Sequence, residues 1–150
     1  MKVQDIMTPA VLTVTPDTPL KKVNQLLHRY HLNDLVVVDE NNAVVGIITY
    51  SDLFRQILPS YEEVMKDESY WLNPDALESR ALQIMENPVK NYMTTNVVTV
   101  SPDKPAVHAG ALMIAKKVKQ LPVVNNGKLV GIVSYTDITW GLMIKNCKFF

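Results

Sequence analysis

The stretch Gly46-Ile47-Ile48-Thr49-Tyr50-Ser51-Asp52 decides the fold, because it recurs as Gly131-Ile132-Val133-Ser134-Tyr135-Thr136-Asp137. Each copy runs from an apolar, β-branched segment into a hydroxyl- and acid-bearing helix start, so each marks a strand-to-helix join. Upstream, Met7-Thr8, Val11, Thr13-Val14, Pro16-Asp17 and Pro19 recur 86 positions later as Met93-Thr94, Val97, Thr99-Val100, Pro102-Asp103 and Pro105. Leu26, Leu35 and Val37-Val38 recur at the same offset as Leu112, Leu121 and Val123-Val124. At the motif the offset is 85, so a residue is missing from a turn, where deletion is best tolerated. The chain is an internal repeat.

Both copies spell the same order of elements. A short extended segment (11–14; 97–100) is stopped at Thr15-Pro16 or Ser101-Pro102, since the residue before proline is pushed out of the helical region. A helix follows, with Thr18 expected as its cap and Pro19 at its first position. Leu20, Val23, Leu26, Leu27 and Tyr30 share one face, as do Ala106, Ala109, Leu112 and Met113 in the second copy. Strands 35–38 and 43–48 flank Asn41-Asn42, and strands 121–124 and 129–133 flank Asn126-Gly127, a strong hairpin signal. The runs are nearly continuous in apolar residues, so the sheet should be covered on both faces. The expected fold is mixed α/β: two β-α-β-β-α repeats packed about a pseudo-two-fold axis.

Repeat 1 covers residues 1–54 and repeat 2, with the final helix, residues 89–150. Residues 55–88 match neither copy and form a helical insertion. Tyr61 to Glu68 reads as one helix, and Asn73-Pro74-Asp75 begins another with Asn as cap and Pro at the first position. A chain of 150 residues with 47% apolar composition buries about 68–70% of its unfolded surface, which excludes a disordered protein. Met1 to Ile6 holds no apolar signal core, and no run approaches the ~18 apolar residues of a membrane span, so the expected location is cytoplasmic. The single cysteine, Cys147, allows neither an internal disulfide nor a thiolate metal site. Residues 1–86 hold 7 basic and 13 acidic side chains and residues 87–150 hold 8 and 2, so the halves are oppositely charged. That fits an anionic ligand or charge matching between subunits better than nucleic acid, which calls for a larger net positive field.

The repeated motif is where chemistry is expected. Two hydroxyls, unpaired backbone amides and the positive end of a helix dipole converge at each join, which suits an anion such as phosphate. The carboxylate that follows repels phosphate but accepts from a vicinal diol such as a ribose. Phosphate, ribose and an apolar slot describe a nucleotide. The same residues also suit plain helix capping, and the two readings stand side by side.

With Asp5-Ile6-Met7-Thr8-Pro9, Thr13-Val14-Thr15-Pro16, Val37-Val38-Asp39, Leu121-Pro122-Val123-Val124 and the doubled Gly-to-Asp motif in place, the chain resembles a stand-alone tandem pair of cystathionine beta-synthase (CBS) domains. The resemblance spans 1–54 and 89–140. It implies binding of an adenosine ligand (AMP, ADP, ATP or S-adenosylmethionine) in clefts between the copies and association of two pairs as a dimer. It assigns ribose contact to Asp52 and Asp137, and phosphate contact to Thr49 and Ser51 or to Ser134 and Thr136. It walls the Asp52 cleft with Val97, Val98, Lys119, Gln120, Leu121 and Pro122, and the Asp137 cleft with Val11, Leu12, Asn33, Asp34 and Leu35. Lys119 beside one cleft and Asn33-Asp34 beside the other make the Asp52 cleft the one expected to favour phosphate.

Other constellations are weak. The chain has no Gly-x-Gly-x-x-Gly, no P-loop and no recognisable nucleophile motif, and His28 with His31 lacks a third metal ligand. The expected function is a non-catalytic regulatory module that senses an adenine nucleotide and signals through a homodimer or an unidentified regulated protein. The alternatives are a ligand-independent dimerisation scaffold and a nucleic-acid-binding accessory protein.

Overall fold

The computed structural model describes residues 1–146, with side chains through Ile144. Cys147 lies outside the described residues. Two compact units are present, each built on one repeat. The repeat-1 unit comprises Thr13–Val37 and Val45–Thr95, and the repeat-2 unit comprises Met1–Leu12, Val38–Val44 and the chain from Asn96.

In the repeat-1 unit, β1 (Thr13–Val14) pairs in parallel with β2 (Asp34–Val38), Thr13 opposite Val36 and Val14 opposite Val37. β3 (Val44–Thr49) takes the other side of β2. α1 (Leu20–Arg29) and α2 (Tyr50–Ile57) pack together. Leu20, Val23 and Leu27 bury the periodic face of α1 against Leu35, Val37, Ile48 and Leu53, in a core that also takes Val14 and Val89. Burying side chains of this size contributes about 1.5–3 kcal/mol each, so this stripe sets the helix. Two details differ from the expectation. The Thr18 hydroxyl accepts from the Thr15 amide at 3.1 Å and closes the Thr15–Thr18 turn, so Pro19 occupies the cap position and the helix starts at Leu20. Tyr30 lies outside the core stripe, exposed, with the Arg29 guanidinium 5.7 Å from its ring centre.

The insertion folds as α3 (Tyr61–Lys66), α4 (Glu68–Trp71) and α5 (Pro74–Ile84). The single helix expected over 61–68 is broken at Asp67. Its carboxylate accepts from the Tyr70 amide at 3.0 Å and starts a new helix, a local bond that competes with helix continuation. Asn73 caps α5 as expected, accepting from Asp75 N at 3.0 Å. Arg80 ties the insertion together: Nε donates to the Gln56 carbonyl at the end of α2, Nη1 reaches Glu63 of α3, and the guanidinium lies 5.7 Å from the Trp71 ring.

In the repeat-2 unit, α6 (Ala106–Lys116) and α7 (Tyr135–Asn146) pack together, and β4 (Gln120–Asn125) pairs antiparallel with β5 (Lys128–Ser134). Asn126 and Gly127 both take positive φ, 51° and 77°, the two-residue turn whose twist matches a hairpin. Ala109, Met113, Leu121, Val123, Val133 and Ile138 form the core with Val3 and Val100. The extended segment expected over 97–100 is reduced to one parallel bridge, Val100 to Val123. Pro122 has no N–H to give that side of the ladder, whereas its counterpart in the first repeat, Val36, has one and β1 forms there.

The boundaries of the compact units are not those of the sequence repeats. Thr8 of repeat 1 exchanges both backbone hydrogen bonds with Ile132 of repeat 2, at 2.8 and 2.9 Å. Thr94 of repeat 2 does the same with Ile47 of repeat 1, both at 2.9 Å. Each Met-Thr segment is thus built into the unit of the other repeat.

Candidate functional site at the strand-to-helix joins

At the end of β3 the chain enters α2 through a reciprocal cap. Thr49 Oγ1 accepts from the Asp52 amide at 3.1 Å, while Asp52 Oδ2 accepts from Thr49 N and from Thr49 Oγ1, both at 2.9 Å. The second repeat reproduces this with Ser134 and Asp137: the carboxylate accepts from Ser134 N and Oγ at 2.7 Å each, and Asp137 N donates back at 3.3 Å. Both carboxylates are half-buried, and each uses Oδ2 for the cap, which leaves Oδ1 outside the box. The single hydroxyl proton of Thr49 and of Ser134 is directed at its own carboxylate. In this arrangement the proton of each of these hydroxyls is engaged by the cap.

The two other hydroxyls at the joins are exposed. Ser51 Oγ accepts from Arg55 Nη2 at 3.0 Å, one helical turn on, so the serine's own proton remains available to donate. Thr136 is its counterpart, but Trp140 stands where Arg55 would be. Arg55 is thus a cation one turn into the first join's helix, at a position that is apolar in the second. The sequence signal for it was its spacing of four from Ser51, outside the repeated motif.

The backbone preceding each hairpin is anchored to its own helix start. Tyr50 N donates to the Asn33 carbonyl at 3.0 Å, and Tyr135 N to the Lys119 carbonyl at 3.1 Å. Asn33 and Lys119 present exposed side chains, while Asp34 and Gln120 are half-buried. Leu35, Leu121 and Pro122 are buried, the two leucines in the cores of their own units, so these positions offer a ligand their backbone only. Val98 packs against the repeat-2 core, Val97 and Val11 are half-buried and Leu12 is exposed. An open groove of about 520 Å³ adjoins the Ser51 join and is lined by Asn24, Tyr50, Ser51, Leu53, Phe54 and Ile57. Among the described residues no His, Cys, Asp and Glu cluster is arranged to hold a metal ion, and no helix is long and apolar enough to cross a membrane.

Two hairpins, each entering a helix through the same hydroxyl–carboxylate box, define a tandem repeat of one strand-to-helix unit. The chain belongs to the CBS domain family, whose pattern matches residues 3–59 and 89–143. It is similar to an uncharacterized 17.7 kDa protein in the bps2 3' region of Acidianus ambivalens, 31% identical over 143 residues that cover 95% of this chain and 73% of that one. It is also 28% identical to inosine-5'-monophosphate dehydrogenase of Methanocaldococcus jannaschii over 138 residues, 91% of this chain but 23% of the enzyme. Among solved structures, CBSX2 in complex with AMP superposes with a TM-score of 0.74 at 28% identity, covering 97% of this chain and 98% of CBSX2. The CBS domain of a CBS domain-containing membrane protein from Sphaerobacter thermophilus gives 0.73 at 29% identity, covering 93% of this chain and 86% of that one.

Proposed function

We propose that the chain is a non-catalytic, regulatory CBS pair that binds an adenine nucleotide at the Asp52 and Asp137 joins and acts as a homodimer. The observation that carries the reading is the repeated placement, beside a helix N-terminus, of a carboxylate with one oxygen outside its cap and an exposed hydroxyl. That set suits a ribose diol and an adjoining phosphate. The likeness to CBSX2, solved with AMP, supports the adenosine class. The residues that the family resemblance implies as further walls, Val97, Val98, Lys119 to Pro122, Val11, Leu12 and Asn33 to Leu35, are proposed contacts. A ligand that binds one arrangement of the repeats better than another shifts the population toward it, and the dimer interface carries that shift outward.

Titration calorimetry against AMP, ADP, ATP and S-adenosylmethionine tests the reading. Saturable binding of at least one, weakened by Asp52→Ala or Asp137→Ala, is expected. No heat with any of them at millimolar concentration would leave a ligand-independent dimerisation scaffold. One observation favours that second reading: Thr49 and Ser134 pair with Asp52 and Asp137 as plain helix caps do.

A further inference from the structure

The groove beside Ser51 does not end on α2. A second recess of about 260 Å³ shares Asn24, Leu53 and Ile57 with it and continues past Gln25 of α1 to Ala81 and Ile84 of α5. Together they run from the start of α2, along the α1 side of that helix, to the insertion, all within the repeat-1 unit. Ile57 lies six residues beyond Ser51, about 9 Å along the helix axis.

The chemistry along this groove is graded. At its mouth stand the Ser51 hydroxyl and the Arg55 guanidinium that donates to it. Midway are the exposed side-chain amides of Asn24 and Gln25, and among the described residues neither finds a side-chain hydrogen-bond partner. The far end is carbon: Leu20 belongs to the core, Ile84 packs against it, and the Lys21 ammonium there is paired with Glu86 at 2.6 Å.

The second repeat lacks the polar members of this set. Asn24 and Gln25 correspond to Gly110 and Ala111, and Arg55 to Trp140. Ile138 Cδ1 stands 3.6 Å from where a Cβ at Gly110 would project, so α7 packs up to α6 at the point where α1 carries the Asn24 side chain.

We infer that the Asp52 join takes an adenosine 5′-diphosphate ester, its ribose diol free, whose arm carries amides and ends in an apolar group. Dephospho-coenzyme A bearing an acyl chain has this chemistry. The diphosphate lies against Ser51 and Arg55, the amides of the arm exchange hydrogen bonds with Asn24 and Gln25, and the apolar end follows Leu53 and Ile57 toward Ala81 and Ile84. A side-chain amide both donates and accepts, so it matches an amide in the ligand. The apolar end gains by leaving water, as a small-molecule site with few, placed polar groups requires. The Asp137 join, without the amides or the guanidinium, takes the plain nucleotide. The inference rests on the nucleotide reading and names the class of nucleotide that the first join selects.

Calorimetry on the full chain with ADP, dephospho-coenzyme A and its octanoyl thioester tests it. The octanoyl ester is expected to bind at least tenfold more tightly than ADP, with dephospho-coenzyme A between them. Asn24→Ala/Gln25→Ala should weaken both arm-bearing ligands about tenfold and leave ADP unchanged. Ala81→Trp fills the far end and should remove only the advantage of the octanoyl ester over dephospho-coenzyme A. Circular dichroism checks that each variant folds, and the amide variant alone decides the matter if the tryptophan is not accommodated. ADP binding as tightly as both arm-bearing ligands would overturn the inference and leave the nucleotide reading standing. Binding of none of the three would overturn both. A preference for the arm that survives the amide variant would place the arm outside this groove, and equal losses for ADP and the octanoyl ester would make the amides structural; either result overturns the inference.

Discussion

The side chain of Met93 occupies the space into which a Cβ at Gly46 would project, its sulfur nearest, and Met7 stands in the same relation to Gly131. Methionine and glycine are matched across the repeats: the Met comes from one copy and the Gly from the other. The two contacts differ in what else crowds the site. The three atoms nearest a Cβ at Gly46 all belong to the flexible Met93 side chain, whereas at Gly131 they include the Thr8 carbonyl oxygen at 3.0 Å.

Gly131→Ala is therefore expected to destabilise more than Gly46→Ala, by about 1–3 kcal/mol against less than that, since a methionine swings aside more readily than backbone that is held at both ends. Thr8 is fixed by its two bonds to Ile132. Denaturant unfolding of both variants measures the difference. Met93→Ala placed on Gly46→Ala should recover part of the loss, and simple additivity of the two changes would show that they do not share the space.

The caps separate stability from binding. Thr49→Ala removes both an acceptor for Asp52 N and a donor to its carboxylate, and should cost about 1 kcal/mol of stability. Asp52→Ala should cost a similar amount, but on the proposed reading it also removes the ribose acceptor and weakens nucleotide binding about tenfold to a hundredfold. Comparing melting temperature with calorimetric affinity in the two variants decides the matter. Equal, small losses of affinity in both would make Asp52 a cap alone.

Much of this was legible in the sequence because strand, turn and helix-start chemistry are local. The Asn126-Gly127 hairpin, the Asn73 cap and the doubled motif follow from adjacent residues. The exchange of Met-Thr segments was not legible. Met7 and Met93 are equivalent, as are Gly46 and Gly131, so repetition shows which segments are alike and not which copy each one packs against. The break of the insertion at Asp67 was missed because helix periodicity alone does not reveal a side chain that bonds the backbone three residues on. At the site, the motif hydroxyls looked alike as phosphate donors, and only geometry shows that Thr49 and Ser134 are occupied while Ser51 is aligned with Arg55.

On the proposed reading, Arg55 is expected to give the two joins different affinities for phosphate. Arg55→Ala should weaken a ligand carrying phosphate by about tenfold to a hundredfold, as loss of a hydrogen bond to a charged group does, and leave adenosine binding nearly unchanged. In the second repeat Trp140→Arg should raise the preference for AMP over adenosine at the Asp137 join. Calorimetry with AMP and adenosine reads both effects. An equal loss for the two ligands on Arg55→Ala would place the guanidinium away from phosphate.

The last expectation concerns acid. Glu63 caps α3 by accepting from Ser60 N at 2.7 Å, and that backbone bond, with the charge of Arg80, holds its carboxyl below the ordinary carboxylate range. Asp67 is lowered likewise, first by the Ser69 hydroxyl and then by the Tyr70 amide. A carboxyl whose folded value is depressed contributes stability that is complete above its unfolded value, about 4, and disappears as pH falls through the folded one. The starts of α3 and α4 should therefore be intact at pH 5 and above and should fray progressively below about pH 4. Both groups lie on the exposed surface of the insertion, so the fraying should stay local to it while β2 and β3 remain folded. Amide resonances of Ser60 and Tyr70 followed from pH 6 to pH 2.5 report it. In Glu63→Gln the Ser60 resonance should lose that response, and a midpoint above pH 5 at either amide would show that some other group governs the insertion.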